Sequence, residues 1–150
     1  GHLVPSADSN SSRLENSETF LMTNMAPQHP DLNRKIWRML EDKARKIALK
    51  ENIVEVYAIS GPVFDLTKPF SKIGDDVVIP HEFFKSILTE DSKGKIKIYS
   101  FLIPNEEIDV TDFNDFATYV NYIEFRSGLE LWSRLNGPTI EKLKKKVQKI

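Results

Sequence analysis

The chain has 150 residues, 40% of them hydrophobic and 29% charged, and a formal net charge of -1; that suits one ordinary globular domain and is neither disordered nor membrane-like. No apolar run approaches the ~20 residues of a membrane helix, so no membrane partner is expected. Cysteine is absent, which excludes disulfides, thiolate metal sites and a Cys nucleophile, and the near-zero net charge means that a nucleic-acid partner would need a local basic face.

Residues 1–33 are polar and loop-like, with Ser and Asn clustered at 6–17 and Pro at 5, 27 and 30. A stretch this long without a period is usually functional or disordered; only Thr19–Thr23 reads as a short strand. The first residue is Gly1 and no signal peptide is visible, so the sequence reads as processed, cut or cloned as a fragment, with Gly-His as a conceivable tag remnant. From about Leu32 to Leu49, apolar residues at Ile36, Trp37, Leu40, Ala44, Ile47 and Ala48 form a helical stripe, with Asp31 placed to cap it. Asn52–Ser60 is rich in β-branched residues and predicts a buried strand that ends in a Gly61-Pro62 turn. Asp76–Ile79 predicts a short strand stopped by Pro80. Phe84–Thr89 and Ile96–Ile103 predict a hairpin closed by Asp91-Ser92-Lys93-Gly94. Thr118–Val120 reads as one more strand. Asn121 is placed to cap a short helix through Arg126, closed by Gly128, and Thr139–Ile150 reads as a basic amphipathic helix. The expected architecture is a single α+β domain over 1–150, with 137–150 as a basic helical tail.

Four side chains, those of His2, Asn33, Glu41 and Arg45, could carry chemistry. Asn33, Trp37, Glu41 and Arg45 follow one another at four-residue spacing, so each is rotated by only about 40° from the last on a helix. His2 adds an imidazole. Phosphodiester hydrolysis needs a base to activate water and a cation to neutralise developing charge. An imidazole can be that base at neutral pH. A hard cation such as Mg²⁺ takes oxygen ligands, which the Asn33 amide offers, and keeps several waters, which Glu41 can hold. Arg45 offers a planar fork to phosphate. The residues taken alone leave plainer readings open: Asn33 as a helix-start residue, Glu41 and Arg45 as a solvated i,i+4 pair, His2 as a disordered or cloned end, Trp37 as core. Asn33 and Glu41 are also separated by about 12 Å of helix rise, so they share an ion only if Asn33 curls back or through water.

Read together, several segments resemble one family. GHLVPSADS is similar to the second half of the Asp-Arg-Gly-His signature region of the DNA/RNA non-specific endonucleases. These are ββα-metal nucleases that include secreted bacterial nucleases and mitochondrial endonuclease G. TNMAPQHPDLNRKIWRMLEDKAR, from Thr23 to Arg45, resembles their metal-site region throughout. YAISGPVF at 57–64, VIPHEFFKSIL at 78–88, FLIPN at 101–105 and YIEFRSGLELW at 122–132 match in style, so the resemblance extends to about Trp132.

The resemblance implies an antiparallel sheet packed with helices, incomplete at the amino terminus, because the family's Asp and Arg and its earlier strands would precede Gly1. It implies His2 as general base, Asn33 as the one direct ligand of a divalent metal (Mg²⁺, with Mn²⁺ as the alternative), and Glu41 as the carboxylate positioning the ion's water. Arg45 would steady the phosphate, and Asn24 would line the same site. The implied activity is sugar-non-specific endonucleolytic hydrolysis of DNA and RNA, giving 5′-phosphate ends. The implied partners are the DNA and RNA backbone, a second copy of the chain as a homodimer, and the missing amino-terminal segment as a separate piece. A secreted or periplasmic location is favoured, with an organelle as the alternative. A base at the second residue of a free chain end is expected to be loosely held, which bears on the activity of this polypeptide alone. The competing expectation is a nucleic-acid or phosphate-binding fragment that does not cut. The basic residues on the long helix and the lysines at 142, 144, 145, 146 and 149 fit either reading, or a solvated face.

Overall fold

The computed structural model describes residues 1–9 and 11–150. Its centre is an antiparallel four-stranded sheet in the order β1-β4-β5-β6: β1 (Ile53–Val63), β4 (Glu82–Asp91), β5 (Ile96–Pro104) and β6 (Ala117–Thr118). The predicted hairpin is β4–β5, in register from Glu82↔Pro104 to Glu90↔Ile96. β4 is buried almost throughout, Lys85, Ser86 and Thr89 included, because it is an inner strand with both faces covered. Alternate residues therefore enter two different cores. Phe83, with Phe101 and Ile103 of β5, packs under Leu32, Ile36, Trp37 and Leu40 of the long helix. Phe84, with Leu88 and Ile98, packs against Val120, Ile123 and Leu131 on the opposite face. β2 (Lys72–Ile73) and β3 (Val77–Val78) make a separate ribbon, as the short strand at 76–79 predicted.

Several local expectations are corrected. β1 does not turn at Gly61-Pro62: Gly61 pairs with Phe84 and Pro62 with Phe83. Proline survives there because β1 is an edge strand, where no ladder donor is needed on the open side. The same position leaves β1 mostly exposed or half-exposed. Gly61 lies flat against the Phe84 ring, 2.7 Å from where a Cβ would stand, so no larger residue fits without displacing the ring. Thr19–Thr23 is not a strand. Thr19 closes a short helix, α1 (Arg13–Glu18), and Met22–Asn24 forms a 3-10 turn. α1 is capped by Ser12, which accepts from the Glu15 N–H at 3.1 Å; the Ser-x-x-Glu spacing at 12–15 is a helix-start signal.

The long helix is present but not uniform: a π-helical turn over Leu32–Trp37 runs into α2 (Arg38–Ala48). Asp31 is already helical and makes no capping bond. Its carboxylate pairs instead with Lys35 at 3.2 Å. α3 spans Val120–Ser127 and is stopped by Gly128 in the left-handed conformation, as expected, but its cap position is Tyr119 and Asn121 lies inside the helix. The carboxy-terminal helix α4 covers only Pro138–Lys144, shorter than the tail predicted over 137–150. Lys144 is buried and pairs with Glu124 at 2.7 Å, tying α4 to α3. The last residue docks on Asn114 through two backbone bonds.

Candidate active site

One groove of about 440 Å³ is lined by His2, Asn33, Glu41 and Arg45, together with Arg34, Arg38, Asp42 and the 5–7 loop. Four of the five predicted site residues therefore meet. Two chain segments bring them there. Residues 1–3 pair antiparallel with 24–26: His2 bridges to Met25, Leu3 N–H donates to the Asn24 carbonyl at 2.9 Å, and Ala26 N–H donates to the Gly1 carbonyl at 3.0 Å. The Trp37 indole N–H donates to the His2 carbonyl at 3.2 Å, and the His2 ring stands edge-on to Phe20 with centroids 4.6 Å apart. The loosely held base expected from position 2 is corrected: a ladder, an indole and a ring hold it. Its Nε2 is buried without a hydrogen-bond partner among the described residues. Such an atom calls for a water, an ion or a reacting group.

Asn33 is presented by the π turn. In a uniform α-helix, Asn33 would be rotated about 80° from Glu41. A turn closed i→i+5 contains more residues and rotates less per residue, which swings Asn33 back towards the azimuth of Glu41. The turn aligns the two in azimuth and leaves most of the roughly 12 Å of rise between them to be bridged through water. The Asn33 Nδ2 donates to Gln28 Oε1 at 2.7 Å, which orients the amide and leaves its Oδ1 without a partner among the described residues. The backbone of Gly1 closes over this pair so tightly that a Cβ there would collide with both Gln28 and Asn33. The loop beneath is held by Asn105, which accepts from His29 N–H at 2.7 Å and donates to the carbonyls of Pro27 (3.0 Å) and Pro80 (2.8 Å).

Glu41 is half-buried. Desolvation raises its carboxyl above the usual range, Lys85 and Arg45 draw it down, and Asp8 and Asp42 push it up. Lys85 was not visible as a site residue in the sequence. Its position on β4 points it under α2, where it is 3% exposed. The ammonium donates to Ser60 Oγ at 2.9 Å and lies 4.4 Å from the Trp37 ring centroid. Burial lowers its pKa from 10.5 to about 8.

Two predicted roles look different in the structure. Arg45 does not present a free fork: its Nη1 binds Asp8 at 2.7 Å and its Nη2 binds Asp42 at 2.6 Å. Arg34 and Arg38 are exposed on the groove wall, and no ion pair engages them among the described residues; they offer the freer guanidinium groups. Asn24 does not line the groove. Its amide is spent on backbone, accepting from Val4 N–H at 2.8 Å and donating to the carbonyls of Val4 (2.9 Å) and Thr19 (2.8 Å). It braces the loop that carries His2.

The donor set suits a hydrated hard cation. Among the described residues no group of three or more His, Cys, Asp or Glu could cage a metal. The groove offers instead one unpartnered amide oxygen and the Glu41 carboxylate, with that of Asp42 paired to Arg45, and an ion held by so few protein ligands keeps most of its water.

The family model of DNA/RNA non-specific endonucleases matches residues 1–137. A nuclease of Nostoc sp. is 32% identical over 149 residues, covering 94% of this chain and 52% of its own length. The mitochondrial endonuclease G of Caenorhabditis elegans is 33% identical over 153 residues, covering 95% and 49%. A crystal structure of an EndoG/EndoGI complex matches with a TM-score of 0.80 at 26% identity, over 91% of this chain and 59% of that one. The chain spans about half the length of the curated relatives it matches. Its antiparallel sheet covered by helices matches the α+β, ββα-metal architecture that the resemblance implied.

Proposed function

The chain belongs to the DNA/RNA non-specific endonuclease family, and on that premise we propose that it hydrolyses the phosphodiester backbone of DNA and RNA, with His2 as general base and one divalent cation beside Asn33. The observation that carries the reading is the buried, unpartnered Nε2 of His2 in the same groove as the Asn33 amide and the Glu41 carboxylate. His2 takes the proton of the attacking water. Asn33 would hold a divalent cation through Oδ1, and Glu41 would accept hydrogen bonds from water around it. Bound there, Mg²⁺ or Mn²⁺ would supply neutralisation of the charge that builds on the phosphate and on the leaving oxygen. Arg34 and Arg38 receive the strand at its phosphates, and Arg45, braced by two carboxylates, stays beside the reacting centre. Contact with the backbone and not with the bases gives weak sequence preference, and attack with the 3′ oxygen leaving gives 5′-phosphate ends. The mitochondrial names among the relatives support an organelle beside a secreted or periplasmic location.

A plasmid-nicking assay tests the proposal. Nicking stops in EDTA and returns with added Mg²⁺ or Mn²⁺; nicking that persists in EDTA overturns it. The clamp of Asp8 and Asp42 on Arg45 favours a second reading, a fragment that binds nucleic acid without cutting. Salt-sensitive binding without any metal-dependent nicking is its signature.

Lys85 supplies a further expectation. Without its charge, the half-buried Glu41 loses the group that most favours its ionisation, so Lys85→Met should raise the Glu41 carboxyl further and move the part of the acid limb that Glu41 contributes to higher pH. Below about pH 8 the ammonium is charged in both folded and unfolded chains, and its burial cost is fully present. Between about 8 and 10.5 the folded chain releases the proton while the unfolded chain keeps it, so stability rises with pH. Denaturant titrations across that window should show the rise in the wild type and lose that component in Lys85→Met.

A further inference from the structure

A second recess, of about 270 Å³, lies on the far flank of α2. Lys43 contributes from α2 and Lys50 from the bend just past its end, Lys97 and Lys95 from the start of β5 and the turn before it, and Lys149 lies beside the recess. Lys43 follows Glu41 by two residues, which places it about 200° around the helix from the proposed catalytic stripe. None of the five ammonium groups has an ion-pair partner among the described residues. The one carboxylate side chain in the recess, Asp91, has its Oδ1 committed to the backbone N–H groups of Lys93 and Lys95, at 2.9 Å each. A chain with a formal net charge of -1 has thus gathered five lysines around one concavity that holds a single side-chain carboxylate, Asp91, on which Lys95 acts. Like charges so placed repel one another and are relieved by a polyanion that displaces their counterions.

We infer that this lysine recess is a second phosphodiester-backbone site, binding phosphates a few nucleotides away from the one cut in the groove. The inference rests on the nucleic-acid reading proposed above. Between the two flanks runs the outer face of α2, where Arg38 and Lys46 are exposed, so a strand crossing this face meets positive charge at both sides. The helix is about 10–12 Å across with its side chains. A dinucleotide in the groove does not span that distance, and a longer strand does. The recess therefore makes affinity depend on substrate length.

The test uses Lys50→Gln/Lys95→Gln/Lys97→Gln, three exposed positions, with the thermal transition checked against wild type. Binding of a 30-base-pair duplex is titrated in EDTA at several salt concentrations, and cleavage of the duplex and of a small chromogenic diester is measured in Mg²⁺. The expected result is at least tenfold weaker duplex binding at moderate salt. The slope of log K against log salt should be shallower by about two to three, and turnover of the small diester unchanged. Equal duplex affinity and slope in the two proteins overturns the inference, as does loss of poly-glutamate binding with duplex binding intact, which points to a protein partner. If the wild type cleaves nothing but the triple variant still loses duplex binding, the hydrolase reading fails and the recess stands.

Discussion

Replacing His2 by Ala should lower metal-dependent cleavage by about 10²–10⁴-fold, the usual contribution of a general base, while leaving the fold intact. The two halves of this expectation come from different atoms. Everything that ties residue 2 to the protein through the main chain survives the substitution: the bridge to Met25 and the bond from the Trp37 indole to the carbonyl of residue 2. What disappears is the imidazole, its edge contact with Phe20 and a buried nitrogen that no group among the described residues satisfies. Circular dichroism and thermal unfolding should be close to wild type, and plasmid nicking should be nearly lost. A His2→Ala protein that cuts within tenfold of wild type would remove His2 from the chemistry.

Asn33→Ala should be as damaging, through metal affinity. The substitution keeps the backbone bond from Asn33 N–H to the His29 carbonyl and deletes the amide oxygen aimed into the groove. Loss of a group that only orients a metal ligand costs about 10–100-fold in affinity or activity; loss of the ligand itself should exceed a hundredfold, with partial recovery at high Mg²⁺. Asn33→Asp separates a ligand from a structural residue. It supplies a charged oxygen but no donor for Gln28. The Gln28 Nε2 is buried without a partner among the described residues, so a flip of that amide lets it donate to the new carboxylate. Calorimetric titration with Mn²⁺ should show no binding for Asn33→Ala and retained or tighter binding for Asn33→Asp. Equal Mn²⁺ affinity in Asn33→Ala and wild type would place the ion elsewhere.

The sequence was most informative where one physical signal dominates. The stripe through Ile36, Trp37, Leu40 and Ile47 is an apolar period, and the helix lies where that period places it. Phe84–Thr89 and Ile96–Ile103 pair because their β-branched and aromatic runs flank a tight turn. The errors fall where tertiary context decides. Gly61-Pro62 reads as a stop, yet the open edge of the sheet lets β1 continue. Asp31 and Asn121 have cap chemistry, but Asp31 is drawn to Lys35 and the helix at Asn121 has already begun. In the site, His2, Asn33, Glu41 and Arg45 were legible through resemblance and spacing. Asn24 was misplaced because a short polar side chain serves a loop as readily as a groove. Lys85 was hidden in a strand run, since nothing local shows that an indole and a carboxylate wait above it. Gln28 lies in the Thr23–Arg45 segment that carries the resemblance, but its grip on Asn33 depends on how the chain folds across their five-residue separation.

The π turn has a consequence for how this protein can vary. The aim of the Asn33 amide is set by how many residues lie between Leu32 and Trp37, and only secondarily by what they are. Losing one residue from that span would allow a regular helix to form, satisfy every main-chain bond, and rotate the amide away from the groove. A scan of point substitutions would pass over this dependence, because each variant keeps the residue count. Single-residue deletions and insertions would reveal it, as a folded protein whose ligand faces the wrong way.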